Sequence, residues 1–164
     1  MELKVEMPYP SLSEVTPNMQ VLRTIAPAYA GKKGELTAIL QYVYQAIYLG
    51  ANGMEEEGKL LMSIAANEMH HLEMLGTLIV KLGAPPVYTA CPPYPVGYYC
   101  ASNVNYVKSL RSMICADIAG EETAIEDYTH MLTTLKGQPF ELIARIVEDE
   151  RLHLKRLGEL LSSL

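Results

Sequence analysis

Asn67-Glu68-Met69-His70-His71-Leu72-Glu73-Met74-Leu75-Gly76 sets a carboxylate and an imidazole three residues apart inside a run with helical apolar spacing. Residues i and i+3 share a helix face, so Glu68 and His71 can reach one metal ion together. The same pattern returns near the end of the chain as Asp149-Glu150-Arg151-Leu152-His153-Leu154-Lys155-Arg156-Leu157-Gly158. Aligning Glu68 on Glu150 also aligns His71 on His153, Leu72 on Leu154, Leu75 on Leu157 and Gly76 on Gly158. A single Glu-x-x-His unit is most often a surface ion pair. Two in register are an internal repeat, and they double the candidate site.

A pair of metal ions needs more donors than two such units supply, so the remaining helices must each bring a carboxylate. Gly34-Glu35-Leu36-Thr37-Ala38-Ile39-Leu40-Gln41-Tyr42 aligns without a gap on Gly120-Glu121-Glu122-Thr123-Ala124-Ile125-Glu126-Asp127-Tyr128. Glu35 then matches Glu121, and Tyr42 matches Tyr128. The chain reads as two copies of a glutamate helix followed by a Glu-x-x-His helix. Its candidate metal ligands, in order, are Glu35, Glu68, His71, Glu121, Glu150 and His153. Carboxylate oxygens and imidazole nitrogens suit iron and manganese, and the lack of thiolates among them disfavours iron–sulfur clusters or structural zinc. Four carboxylates balance two divalent ions. Without the ions, the same carboxylates buried in a bundle would have to take up protons or bear a heavy desolvation cost.

The rest of the chain supplies the frame. Residues 1–33 read as an N-terminal arm followed by a short helix over 17–28, with Thr16 as cap, Pro17 in the first turn, and Pro27 with Gly31–Gly34 as the break. Helical spacing then runs over 35–48 and 54–82, and Gly83 with Pro85 and Pro86 stops it. Residues 84–102 hold five prolines and four tyrosines without a period, which marks a long crossover or lid. Ser102 or Asn103 is the expected cap of a helix over 104–135, and the last helix is expected over 139–162. The expected fold is all-α: a four-helix bundle of two repeated helix pairs, 34–83 and 103–163, joined by one long crossover, in a single domain.

Composition narrows the function classes. The chain is 164 residues long, 49% hydrophobic, and carries a net charge of −6. That charge argues against nucleic acid or an anionic membrane as partner. With no membrane-length apolar run, the high hydrophobic content implies a homodimer or larger homo-oligomer. An acidic N-terminus unlike a signal peptide makes the cytoplasm the expected location. Cys91, Cys100 and Cys115 form neither a Cys-x-x-Cys motif nor an even-numbered disulfide framework.

On these residues the sequence resembles the ferritin-like superfamily, which includes bacterioferritins, rubrerythrins and manganese catalases. Glu-Leu-x-Ala-Ile-x-Gln-Tyr at 35–42 is similar to the first helix of bacterioferritins, and Glu-x-x-His-Leu-Glu at 68–73 is similar to manganese catalases. The resemblance spans roughly 34–160 and excludes the arm and the crossover. It lacks the rubredoxin module of a conventional rubrerythrin and the fifth short helix of ferritin cages. The resemblance implies two iron or manganese ions, with Glu68 and Glu150 bridging, Glu35 and His71 completing one position, and Glu121 and His153 the other. Asn67 and Asp149, each four residues before a histidine, are the candidates to hold an imidazole nitrogen. Tyr42 and Tyr128 are the candidates to donate to a ligand of the opposite helix pair. Asp117, one turn before Glu121, is a candidate extra acid. Met69 follows the glutamate, as the haem-ligating methionine of bacterioferritins does, yet packing is its expected role.

The implied activity is that of an oxidoreductase acting on hydrogen peroxide or dioxygen: peroxidase or ferroxidase with iron, catalase with manganese. Its electron donor is not indicated by the sequence. Two alternatives stand beside it, an iron-binding or storage protein and a structural bundle whose metal site only stabilises the fold. The break at Gly31–Gly34 has no counterpart before Glu121, and together with the crossover it is the expected entrance.

Overall fold

A computed structural model describes residues 4–91 and 97–164, so the part of the crossover at 92–96 lies outside the described residues. Among those described there are five α-helices, one short 3-10 turn at Ala101–Asn103 and no strand beyond an isolated Thr89–Tyr98 bridge. Helix α1 spans Met19–Ala30, α2 Glu35–Ala51, α3 Glu55–Lys81, α4 Leu110–Leu132 and α5 Gly137–Ser163. Helices α2 to α5 form the expected bundle, in which α2 packs chiefly on α3 and α4 on α5, while α1 lies across α2, α3 and α4. None of these helices is long and apolar enough to cross a membrane.

The interior consists of two apolar clusters. One gathers Leu22 and Ile25 of α1, Leu75, Leu78 and Ile79 of α3, and Leu142, Ile143 and Ile146 of α5. The other gathers Leu49 of α2, Leu61 and Ile64 of α3, Met113 and Ile114 of α4, and Leu157 of α5. Along α3 and α5 the two clusters lie on either side of Glu68 and His71, and of Glu150 and His153. The apolar packing that stabilises the bundle therefore also closes the polar layer from both ends.

Three helix boundaries differ from the sequence expectation. Asn18, not Thr16, caps α1, its side chain accepting from Gln20 N and Val21 N. Pro27 does not end that helix. It removes one hydrogen-bond donor, but Leu22, Ile25, Ala26 and Tyr29 are buried along the same helix, and this packing outweighs the loss. Helix α4 begins at Leu110, not near Val104. Val104, Tyr106 and Val107 are poor helix formers, Asn105 Oδ1 accepts from Val107 N in a local turn, and Ser109 supplies the cap by accepting from Ser112 N.

The link from α1 to α2 is tight. A side chain at Gly31 would place its Cβ 2.4 Å from Pro27 O, and one at Gly34 would lie 2.4 Å from Ala28 O. These glycines allow α2 to start directly against the end of α1, and Glu35 is its first residue.

Candidate metal centre

Each of the four bundle helices delivers its carboxylate to one layer. Glu35, Glu68, Glu121 and Glu150 are all buried, as are His71 and His153. Their donor atoms form two groups, Glu35 with Glu68, His71 and Glu150, and Glu121 with Glu68, His153 and Glu150, each within a 4.8 Å span. Glu68 and Glu150 belong to both. Both imidazoles turn Nδ1 inward. His71 Nδ1 lies 2.8 Å from Glu68, 3.1 Å from Glu150 and 3.8 Å from Glu35. His153 Nδ1 lies 3.0 Å from Glu68, 3.3 Å from Glu150 and 3.8 Å from Glu121. The internal repeat of the sequence thus reappears as an approximate twofold arrangement of donors.

The groups behind the donors cross between the two helix pairs. Tyr42 donates to Glu121, and Tyr128 donates to Glu35. Asp149 Oδ2 lies 3.3 Å from Nε2 of His71, and the Asn67 amide lies 3.0 Å from Nε2 of His153. Sequence spacing places each of these two residues behind the histidine of its own helix. In the structure the closer partner stands on the opposite helix, because α3 and α5 face one another across the site.

The two sides then diverge. Asp149 Oδ1 accepts from Val5 N at 2.6 Å and lies 2.8 Å from Arg145 Nη1, an ion pair whose N–H is not aligned as a hydrogen bond. Tyr9 donates its hydroxyl to Asp149 Oδ2, and Arg145 donates to the carbonyls of Met7 and Val5 at 2.7 Å. The arm is therefore fastened to the buried carboxylate behind His71. Sequence reasoning missed this cluster. Its one visible signal was Arg145, an arginine amid Leu142, Ile143 and Ile146 and one turn before Asp149.

Protonation follows from burial. Desolvation, reinforced by the Glu68 and Glu150 charges, pushes Glu35 and Glu121 well above the carboxylate range. Burial acts upward on Glu68 and Glu150 as well. For Glu68 the nearby His153 and His71 imidazoles outweigh it; for Glu150 the charge of Glu68 also pushes upward, and His71 and His153 prevail, so both are held low. Burial would lower both histidines, but the carboxylates around them hold their imidazoles well above the usual range. Glu35, Glu121 and the two imidazoles thus all favour holding protons in this layer. Glu150 Oε1 is a buried acceptor with no aligned donor. An oxygen of this kind, 3.1 Å from the inward Nδ1 of His71, fits a cation-binding layer.

A cavity of about 620 Å³ leads to the layer, lined by Gly31 and Gly34 of the α1–α2 link, Ala90 and Asn103 of the crossover segment, and Glu35, Glu121 and Glu150. The glycine break and the crossover do border the opening. Met69 and several polar residues close to the donors in sequence stand outside the layer. Met69 is 48% exposed and so is not a packing residue. His130, Glu122, Glu126 and Asp127 are exposed on α4, and His70 is partly exposed. Cys91, Cys100 and Cys115 are free and exposed.

Comparison with known proteins agrees with this arrangement. The family model "Manganese containing catalase" matches residues 9–87, just under half of the chain. A search of curated proteins finds no match. Among solved structures, a manganese catalase from Anabaena is 21% identical, with a TM-score of 0.82 over 99% of this chain and 80% of that one. A Desulfovibrio desulfuricans bacterioferritin with a diiron site is 26% identical, with a TM-score of 0.73 over 87% of this chain and 78% of that one. A Mycobacterium tuberculosis bacterioferritin is 22% identical, with a TM-score of 0.74 over 90% and 87%. Catalase and bacterioferritin differ in what their names describe but share the helix bundle. At that common level, the fold of this chain is the ferritin-like helix bundle that both kinds of protein share.

Proposed function

We propose that this protein is an oxidoreductase that holds two iron or manganese ions and acts on hydrogen peroxide or dioxygen, with peroxide the first substrate to test. One observation carries the reading: two donor groups share Glu68 and Glu150, and each adds a glutamate and an inward imidazole of its own. In this reading Glu35 and His71 hold one ion, Glu121 and His153 the other, and Glu68 and Glu150 serve both. Two adjacent ions of this kind, each changing valence by one unit, would supply the two electrons that cleaving a peroxide O–O bond takes.

The chain's own residues do the rest. Tyr42 and Tyr128 orient Glu121 and Glu35 by hydrogen bonds from across the bundle. Asp149 and Asn67 fix the outer nitrogens of the imidazoles, which keeps Nδ1 aimed inward. The two apolar clusters exclude water at either end of the layer, and the cavity leads to it. The match to the manganese catalase model favours catalase over ferroxidase chemistry. Exposed Leu40 and Ile47 on α2, and Met62 and Val80 on α3, support a homo-oligomer, to be measured by sedimentation.

Metal analysis of protein purified without added metal, with oxygen evolution from peroxide on the same sample, tests the reading. Two ions per chain and steady oxygen release are expected. Peroxide left intact by both the iron- and manganese-loaded forms would overturn it. Loading should also expel protons from Glu35, Glu121 and the histidines, read in weak buffer with an indicator dye.

A further inference from the structure

The α4 wall of the cavity carries a buried carboxyl that the metal layer does not use. Asp117, one turn before Glu121, is 1% exposed and lines the same cavity as Glu68, Glu121 and Glu150. Its Oδ1 accepts from Gln41 Nε2 at 2.8 Å and from Gln45 Nε2 at 2.9 Å, both on α2. Its Oδ2 is buried and, among the described residues, has no hydrogen-bond partner. Two amides on one oxygen fix the side chain and leave the other oxygen without a donor beside the cavity wall. If the group served packing alone, the orphaned oxygen would be a pure cost.

Two further observations set Asp117 apart. Aligning Glu35 on Glu121 places Gly31 opposite Asp117, so the acid stands on one side of a duplicated site. Gln41 also accepts from Asn105 N at 3.0 Å, tying the clamp to the segment between the crossover and α4. Tyr42, which donates to Glu121, lies within electrostatic reach of Asp117.

Resting on the peroxide reading, we infer that Asp117 is the proton relay of this centre, passing protons between the cavity and the Tyr42–Glu121 hydrogen bond through its unpartnered Oδ2. Peroxide disproportionation moves two protons between its half-reactions, one of which such a group can hold while the other exchanges with water in the cavity. Reduction of one peroxide to two waters consumes two protons with two electrons, and oxidation of a second to dioxygen returns both. A carboxyl that holds one proton between the half-reactions spares its loss to solvent. The charged and titratable groups around the cavity are Glu35 and Tyr42 on α2, Glu68 on α3, Glu121, Asp127 and Tyr128 on α4, Glu150 on α5, and Lys32 and Lys33 on the α1–α2 link. Burial, against the two glutamine bonds that favour the ionised form, brings the carboxyl of Asp117 up to about 7, where a relay can both take and give a proton.

Asp117→Asn tests the inference in the metal-loaded protein. Helix content and metal content should hold, while peroxide turnover falls by about tenfold or more and loses its bend near neutral pH, with partial recovery in Asp117→Glu. Unchanged turnover and pH profile in Asp117→Asn would overturn the relay. If that variant loses metal or fails to fold, Gln41→Leu takes its place. Losing one donor to Oδ1 should move the bend to higher pH, and an unmoved bend counts against the relay. A wild-type protein inert to peroxide sinks the functional reading instead. The infrared spectrum of the metal-free protein then decides about Asp117. A neutral-carboxyl band that titrates near pH 7 and is missing in Asp117→Asn supports the inference, and its absence from the wild type refutes it.

Discussion

The two sides of the donor layer are built from matching sequence, yet they are supported differently. Behind His153 stands Asn67, a neutral amide; behind His71 stands Asp149, a carboxylate joined to Arg145, Tyr9 and the backbone of Val5. On the cavity side the imbalance is reversed, since Asp117 flanks Glu121 and Gly31 takes the corresponding place near Glu35. Duplication explains the shared donors. The differences lie one residue outside them, where a change alters the electrostatics of one position without dismantling the ligand set.

The residues common to both sides should give the largest effect. Glu68→Ala or Glu150→Ala removes a donor from both positions, and the metal retained after dialysis should fall to near zero, with at least a roughly hundredfold loss of affinity by elemental analysis and metal titration. Next comes the contrast itself. Asp149→Ala strands the buried Arg145 guanidinium and should cost about 3–5 kcal/mol in urea unfolding of the metal-free protein. Asn67→Ala, which strands no charge, should cost about 1–3 kcal/mol. Equal losses would erase the distinction drawn between the sides.

A smaller effect separates the two buried aspartates by the sign of their pH dependence. Burial acts upward on Asp149, but His71, Tyr9, Val5 and Arg145 hold it well below the usual range, so its contribution is present above about pH 4 and lost as pH falls further. Asp117, raised to about 7, binds more protons folded than unfolded between about pH 4 and 7. Its contribution therefore declines as pH rises through that window. Asp117→Asn should grow more stable relative to wild type across it, by on the order of 1 kcal/mol per pH unit at most, in urea melts of the metal-free protein. The smallest effect is expected from Tyr42→Phe and Tyr128→Phe, each losing one hydrogen bond worth about 1–2 kcal/mol and nearly equal to one another, since this pair of contacts is the most symmetric around the layer.

Much of this was legible in the sequence because the key signals are local or repeated. The i,i+3 spacing of Glu68 with His71 puts both on one face of α3, and the repeat says that α5 presents the same pair. Gly83 and the prolines after it mark the end of α3 without reference to the fold. What the sequence hid depends on distant contacts. Nothing local announces that Tyr9 reaches Asp149, which lies 140 residues further on. Spacing along a helix put Asp149 behind His153, and only the approach of α3 to α5 puts it behind His71. Pro27 reads as a stop until the packing of its neighbours on α3 is counted. The late start of α4 turns on Ser109 and Asn105, whose capping and turn bonds compete with the apolar spacing that begins at Val104.

The bond from Val5 to Asp149 spans 144 residues and has a consequence for biosynthesis. Helices α2 and α3 leave the ribosome with Glu35, Glu68 and His71 already in place on them, but the carboxylate that anchors His71 is made only midway through α5. The nascent N-terminal segment has no buried anchor until then, and half-made chains carry an unfinished set of donors. The set of donors and the anchor of residues 5–9 are thereby completed together, when Asp149 and Glu150 of α5 meet α3.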